Sequence, residues 1–453
     1  MKKEHGFSKV SKIVISVLVI ALALLAVSCA TKSDVYKEID HAVEGNNFDS
    51  AIQAIINGQD AKKPIYPEKN SIMLYLDKGM LEHYAGKYAE SSTSLQEAER
   101  LIDDAYTKSV SADLFSYIAN DNTKEFPGED FENIYLNVFN ALNYYKSGNL
   151  ESALVEIRKL SMSSGKLDML VRKYEEAGKS FGDKVMEQLN KIGFTLSDAL
   201  PQPGAINFSK SALAHYLSAL FFLGDGNTDS ARIEFDQVQA AFDSNKNIYK
   251  NDVPNAVADA RSVPAGKGRL NVIGFAGLSP VKEEGLFEQV WPFMQNVDLQ
   301  TPIFKLPVFK DRPSAITGVK LTVGDESVEL ELIEDMGAVM KETFAARFSN
   351  LFFKTYIRVL LKYATADIAA TQSGGGRLAA LLAKKALDAT EGADIRMSRY
   401  LPSKAYIGGI NLDPGNYTAR IDFMAGGSVA AHVEKQIEVK AGTLNLLDAV
   451  SLK

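Results

Sequence analysis

Few side chains in these 453 residues have the types and spacing that chemistry demands, and each group can be held against what its chemistry requires. Ala177-Gly178-Lys179-Ser180 has the ending of a phosphate-binding loop. The partner glycine of that loop should stand five residues before Gly178, where Lys173 is found, and no strand leads in. The segment reads as a helix break. Gly266-Lys267-Gly268 lacks a third glycine and precedes a strand instead of opening a helix, so it fails the dinucleotide fingerprint. His41, His83 and His215 stand singly on helical stretches without a His-Glu-x-x-His pair, so no metal site is expected. No Gly-x-Ser-x-Gly elbow presents a serine nucleophile. Glu283-Glu284 and Asp103-Asp104 are adjacent pairs whose carboxylates diverge on a helix or strand. No catalytic residue and no cofactor is expected. A hydrolase built from distant carboxylates is the minor alternative.

The only cysteine, Cys29, follows directly on Ala26-Val27-Ser28. Upstream, Lys2, Lys3, Lys9 and Lys12 lead into Ile13–Val27, 15 residues broken only by Ser16. That run is shorter than the roughly 20 residues of a spanning helix and suits the apolar region of a secretory signal. The small residues before the cysteine resemble the lipobox of bacterial lipoproteins, which implies cleavage before Cys29 and lipid on its sulfur. Multiple acyl chains, at about 0.8 kcal/mol per buried methylene, would anchor the mature chain stably. Ala30-Thr31, with no aspartate after the cysteine, resembles an outer-membrane sorting signal. The expected location is a lipid anchor in the bacterial envelope, at the outer membrane facing the periplasm.

The elements beyond the leader fall into two blocks. From Asp34 to about Asp259 the pattern is helical and repeats a phrase of apolar helix, Gly/Asn turn and helix opening on a small residue. The turns are Gly45-Asn46-Asn47, Gly86-Lys87, Gly148-Asn149 and Gly226-Asn227, and the small residues are Ala51, Ser91, Ala153 and Ala231. Apolar residues four and seven later fall on the same face. The phrase resembles the tetratricopeptide unit of about 34 residues. Here the markers are 40, 62 and 78 residues apart, so extra segments such as Leu167–Ile192 must intervene. Such arrays line a concave face with their first helices and bind peptides or proteins there. The residues expected on that face are Met73, Leu76, Met80 and Tyr84, then Tyr135, Val138, Leu142 and Tyr145, then Leu213, Tyr216 and Leu220.

After Pro264 the pattern turns to strands. Arg269–Phe275 is rich in apolar residues; Val319, Leu321 and Val323 alternate with polar residues into Gly324–Ser327, and Val328, Leu330 and Leu332 alternate back. After the Asp413-Pro414-Gly415 turn, Tyr417, Ala419, Ile421 and Phe423 face one way, Gly426-Gly427 turns, and Val433, Ile437 and Val439 follow. Two antiparallel blocks, each with one apolar face, predict a small sandwich. Between them, Met340, Phe344, Phe348 and Leu351 keep helical spacing, and Ser373-Gly374-Gly375-Gly376 separates a second helix. Lys354, Arg358 and Lys362 argue against a bilayer span.

The expected architecture is therefore α+β. It comprises a signal peptide (1–28), a tetratricopeptide-like helical hairpin array (29–260) and an antiparallel β-sandwich-like region (261–453) with a helical insertion at about 335–392. Net charge is −7; the leader's four lysines against Glu4 contribute +3, so the mature chain carries −7 − 3 = −10. An acidic body has no electrostatic reason to bind nucleic acid. The layout also resembles an uncharacterised family of bacterial lipoproteins. The stretches that carry it are Gly268-Arg269-Leu270-Asn271-Val272, Leu306-Pro307, Arg312-Pro313-Ser314, Ala393-Asp394-Ile395-Arg396, Leu401-Pro402 and Leu412–Tyr417. Members are often encoded beside outer-membrane lipoproteins of the curli-secretion type, which implies a role in an envelope complex. The leading expectation is a non-enzymatic, membrane-tethered scaffold for another envelope protein or peptide. A subunit of an export or surface-assembly complex is the alternative.

Overall fold

A computed structural model of the chain describes residues 36–110, 125–160, 210–288, 303–345 and 392–453, together with 351, 355, 358 and 359. The leader with Cys29, the Leu167–Ile192 segment with Ala177–Ser180, and most of the 335–392 insertion lie outside the described residues.

The helices follow one another in pairs. α1 (Lys37–Glu44) precedes α2 (Phe48–Gln59), and α3 (Ser71–Tyr84) precedes α4 (Tyr88–Val110). Then come α5 (Asp130–Lys146) with α6 (150–160), α7 (Ala212–Gly224) with α8 (Thr228–Ser244), and a short α9 (Asn255–Arg261). The four turns inside these pairs share one hydrogen-bond pattern, in which an amide beyond the helix reaches back to a carbonyl in its last turn. Asn47 donates to Ala42, Lys87 to Glu82, Asn149 to Tyr144 and Asn227 to Phe222. The residue just before each of these donors is left-handed, with φ of +76° at Gly86, Gly148 and Gly226 and +53° at Asn46. In the first turn it is thus Asn46, not Gly45, that bends the chain. The side chains of Asn47, Asn149 and Asn227 then accept the amides of Ser50, Ser152 and Ser230 at 3.0–3.2 Å, starting the second helix. Close packing within a pair depends on small residues. A Cβ on Gly79 would stand 2.6 Å from the Leu95 side chain.

The strands are β1 (Gly268–Leu278), β2 (Val281–Glu288), β3 (Ile303–Lys310), β4 (Gly318–Val323), β5 (Glu326–Asp335), β6 (Pro402–Leu412), β7 (Gly415–Ala425), β8 (Ser428–Val439) and β9 (Asn445–Ser451). Among the described residues β2 and β3 pair only with each other, and the other seven strands form one sheet in the order β8-β7-β4-β5-β6-β1-β9. Its pairs are antiparallel except β1–β9. The two edges approach each other. Gly268 at the start of β1 lies against Val439 and Lys440 at the end of β8, and the Lys440 amide donates to Asn445 Oδ1 at 2.9 Å.

This nearly closed sheet replaces the expected sandwich. Pairing of β4 with β7 joins the two hairpin blocks edge to edge, so their apolar faces share one interior instead of stacking as layers. Val319, Leu321, Val323, Leu330, Ala419, Ile421 and Phe423 meet Leu270, Val272, Ile410 and Leu447 inside it. At the β7–β8 turn, Gly426 and Gly427 take φ of +54° and +89°, the pair of positive angles that a tight hairpin requires.

The opposite face of β1, β6 and β9 packs on the helices. Ile273, Phe275, Ala405, Ile407 and Leu446 belong to the same core as Met80, Leu142 and Leu220. β1 is consequently buried along all 11 residues, which explains an apolar run where a one-sided strand would alternate. After β5, residues 336–345 form α10, whose start is capped by Asp335 Oδ1 accepting the Ala338 amide at 2.9 Å.

Candidate functional site

Ionisable side chains gather in the seam between the helices and the sheet, and three carboxylate centres organise it. The first is Asp77 on α3, on the face that also carries Met73 and Met80. Its oxygens accept the Tyr66 hydroxyl at 2.8 Å, the Ser398 hydroxyl at 2.8 Å and the Arg399 amide at 2.7 Å. Ser398 and Arg399 belong to the extended approach to β6, so Asp77 ties that segment to α3. Burial pushes the Asp77 carboxyl up to about 6, although these three donors pull the other way. Beside it, Arg399 pairs with Asp40 of α1 at 2.9 Å and lies over the Tyr36 ring.

Glu132 on α5 extends this centre. One oxygen accepts the amide of Glu129 at 2.6 Å, completing a capping box at the start of the helix, and the other accepts the Ser398 amide. Burial, reinforced by the charge of Glu129, pushes Glu132 up to about 8. Lys282 of β2 pairs with Glu129 next to it.

The second centre is Glu334 of β5. It accepts the hydroxyls of Tyr135 (2.7 Å), Tyr249 (2.8 Å) and Ser211 (2.9 Å) and the Leu213 amide (3.3 Å). A β-bulge puts it there. Leu332 pairs with Tyr406 and Glu334 with Ala405, leaving Ile333 as an extra residue, and Ala405 is on the helix-facing side. Burial raises the Glu334 carboxyl while its four donors hold it back. Burial and Glu334 together push the Tyr135 hydroxyl well above its usual range, so it stays a donor.

The third centre is Asp448 of β9. His83 Nε2 lies 3.1 Å from one oxygen and Lys146 Nζ 2.9 Å from the other. The other ring nitrogen of His83 lies 2.6 Å from Asn143 Oδ1. Burial opposes the Asp448 charge, but Lys146 and His83 outweigh it and hold the carboxyl well below the usual range.

These contacts occupy the face expected to receive a partner. Met73, Leu76, Met80, Tyr135, Val138, Leu142, Leu213, Tyr216 and Leu220 are 0–4 % exposed. They face the chain's own sheet or neighbouring helices, so the assignment of these nine to a partner is corrected: they are core. The other two are partly buried and also engaged. Tyr84 donates to the Tyr400 carbonyl at 2.9 Å; Tyr145 donates to the Leu444 carbonyl at 2.8 Å and accepts the Leu446 amide at 3.1 Å. Replacing Tyr145 with phenylalanine should therefore cost about 1–3 kcal/mol of stability, read by urea unfolding, because the Leu444 carbonyl just before β9 and the Leu446 amide within it lose their partner. An unchanged midpoint would remove Tyr145 from the seam.

Asp77, Glu132, Glu334 and Asp448 escaped the sequence reading, although a signal exists for two of them. Asp77, after Leu74-Tyr75-Leu76, and Asp448, between Leu447 and Ala449, are single acids in apolar stretches, whereas Glu132 and Glu334 stand close to Asp130 and Asp335 and carry no such signal. Among the described residues no group of His, Cys, Asp or Glu is placed to hold a metal ion. Among them, too, no helix is long and apolar enough to cross a membrane. No protein-family model, curated protein or solved structure matches the chain.

Proposed function

We propose that the chain is a membrane-tethered envelope lipoprotein whose folded body is a non-enzymatic scaffold for another envelope protein. The observation that carries this reading is the state of the seam. The carboxylates brought together there are engaged by donors of the chain's own helices, strands and loops, and so work as latches between the two halves. The hydrogen-bond pattern shared by the turns of the four helical pairs supports a tetratricopeptide-like array, modified by a sheet seated on its inner face. A partner then meets the outward helices, where Ile56 on α2, Val155 on α6 and Ile233 on α8 are 41–49 % exposed. The tether rests on Cys29, the sole thiol, behind its apolar run.

Replacing Cys29 with alanine should abolish incorporation of labelled palmitate and leave the chain uncleaved or released from membranes. Undiminished labelling of that variant would remove the lipid anchor from the account.

A further inference from the structure

A second gathering of polar atoms lies away from the three carboxylate centres, where the start of β1 meets α7 and α9. Arg269 points from the helix-facing side of β1 and is 5 % exposed. Its Nη1 reaches Asn411 Oδ1 at 3.4 Å, and Nη2 stands 3.6 Å from Asp259, a mostly solvated carboxylate on α9. Among the described residues, neither Nε nor Nη2 finds a hydrogen-bond acceptor. These two nitrogens form one edge of the guanidinium, the fork that matches two oxygens of a carboxylate or phosphate. Gly409 of β6 borders that edge; a Cβ there would stand 3.2 Å from Nε and 3.3 Å from Cζ.

Asn271 is the next side chain on the same face of β1. Its Nδ2 donates to the carbonyls of Arg269 and Asn445 at 3.4 and 3.5 Å, which fixes the amide and leaves Oδ1 as a buried acceptor with no partner among the described residues. From α7, the Tyr216 hydroxyl is fully buried and also has no partner among the described residues. It lies close enough for the charges of both Arg269 and Asp259 to act on it. Each buried polar atom left unpaired costs about 1–3 kcal/mol, more for a charged group. Four buried side-chain atoms without a hydrogen-bond partner among the described residues belong to these three side chains.

We infer that Arg269, Asn271 and Tyr216 form a binding site for a small oxyanion that carries one hydrogen-bond donor. The guanidinium edge takes two oxygens, the tyrosine hydroxyl supplies a third contact, and Asn271 Oδ1 accepts from the ligand. A hydroxycarboxylate and monohydrogen phosphate both satisfy that set. Acetate satisfies all but the last contact.

The test is calorimetric titration of the full chain, extracted in detergent, with glycolate, inorganic phosphate and acetate. One saturable site is expected for glycolate or phosphate, and whichever binds tighter names the source of the oxyanion. Acetate should bind about tenfold more weakly than glycolate, for want of the bond to Asn271. Tyr216→Phe keeps the ring packing and should weaken binding by about tenfold, and Arg269→Lys, which keeps the charge but loses the fork, by more. Absence of saturable heat with both glycolate and phosphate would overturn the site. So would equal affinity of the wild-type chain and a folded Tyr216→Phe variant.

Discussion

Replacing Glu334 with alanine is expected to lower the unfolding free energy by about 3–5 kcal/mol, the cost of leaving a buried polar network without its centre. The carboxylate receives donors from α5, from the start of α7 and from Tyr249 beyond α8, so its loss removes the acceptor of four groups at once, of which the Tyr249 hydroxyl keeps the Lys210 carbonyl. Glu334→Gln keeps the volume and one good acceptor, and should cost distinctly less. The measurement is urea unfolding of both variants at one pH. An alanine variant within about 1 kcal/mol of wild type would mean that the sheet and helices are held by apolar contact alone.

That residue also marks where reading by periodicity stops. Val328, Leu330 and Leu332 alternate correctly into the sheet interior, and continuing by twos would bury Glu334 among aliphatic side chains. The extra residue at Ile333 reverses the facing, and nothing in a period of two announces a bulge. The interior of the sheet was otherwise legible, because each contributing strand has one clean apolar face. The closure was not. Two one-faced hairpins satisfy a stacked sandwich and a curled single sheet equally well; the choice lies in the β4–β7 pairing between chain-distant strands. The helical turns were legible in both place and residue type, since the left-handed position has to be glycine or asparagine. The inner helix face was legible as apolar but not as covered. An apolar stripe is the same whether a partner or the chain's own β1 seals it.

The second large effect is on pH dependence. Glu132 binds its proton more readily in the folded chain, at about 8, than at its usual 4.5. Its contribution to stability is therefore complete below about 4.5 and is lost as pH rises through about 8. Asp77 acts in the same direction between its usual 3.8 and about 6. Asp448 acts oppositely: its pairing stabilises above 3.8 and is lost only as pH falls through its lowered value. The unfolding free energy should thus climb by roughly 3 kcal/mol from pH 9 to pH 6. Glu132→Gln should flatten most of that slope, at a cost that does not vary with pH, because its single oxygen can accept only one of the amides of Glu129 and Ser398. A slope unaltered by Glu132→Gln would show that the buried carboxylate is not what the pH change titrates.

The central claim is that the helical inner face is sealed by the sheet while the outward helices remain free for a partner at the membrane. It is tested most directly by placing a photoreactive side chain at Ile56, Val155 or Ile233 in the lipidated chain and irradiating intact cells. A matching probe at Lys440, exposed just after β8, serves as the comparison. The account predicts a discrete protein adduct from at least one outward helix position, lost with Cys29→Ala and absent from Lys440. Adducts from Lys440 alone, or a chain that stays uncross-linked at all three helix positions, would contradict it.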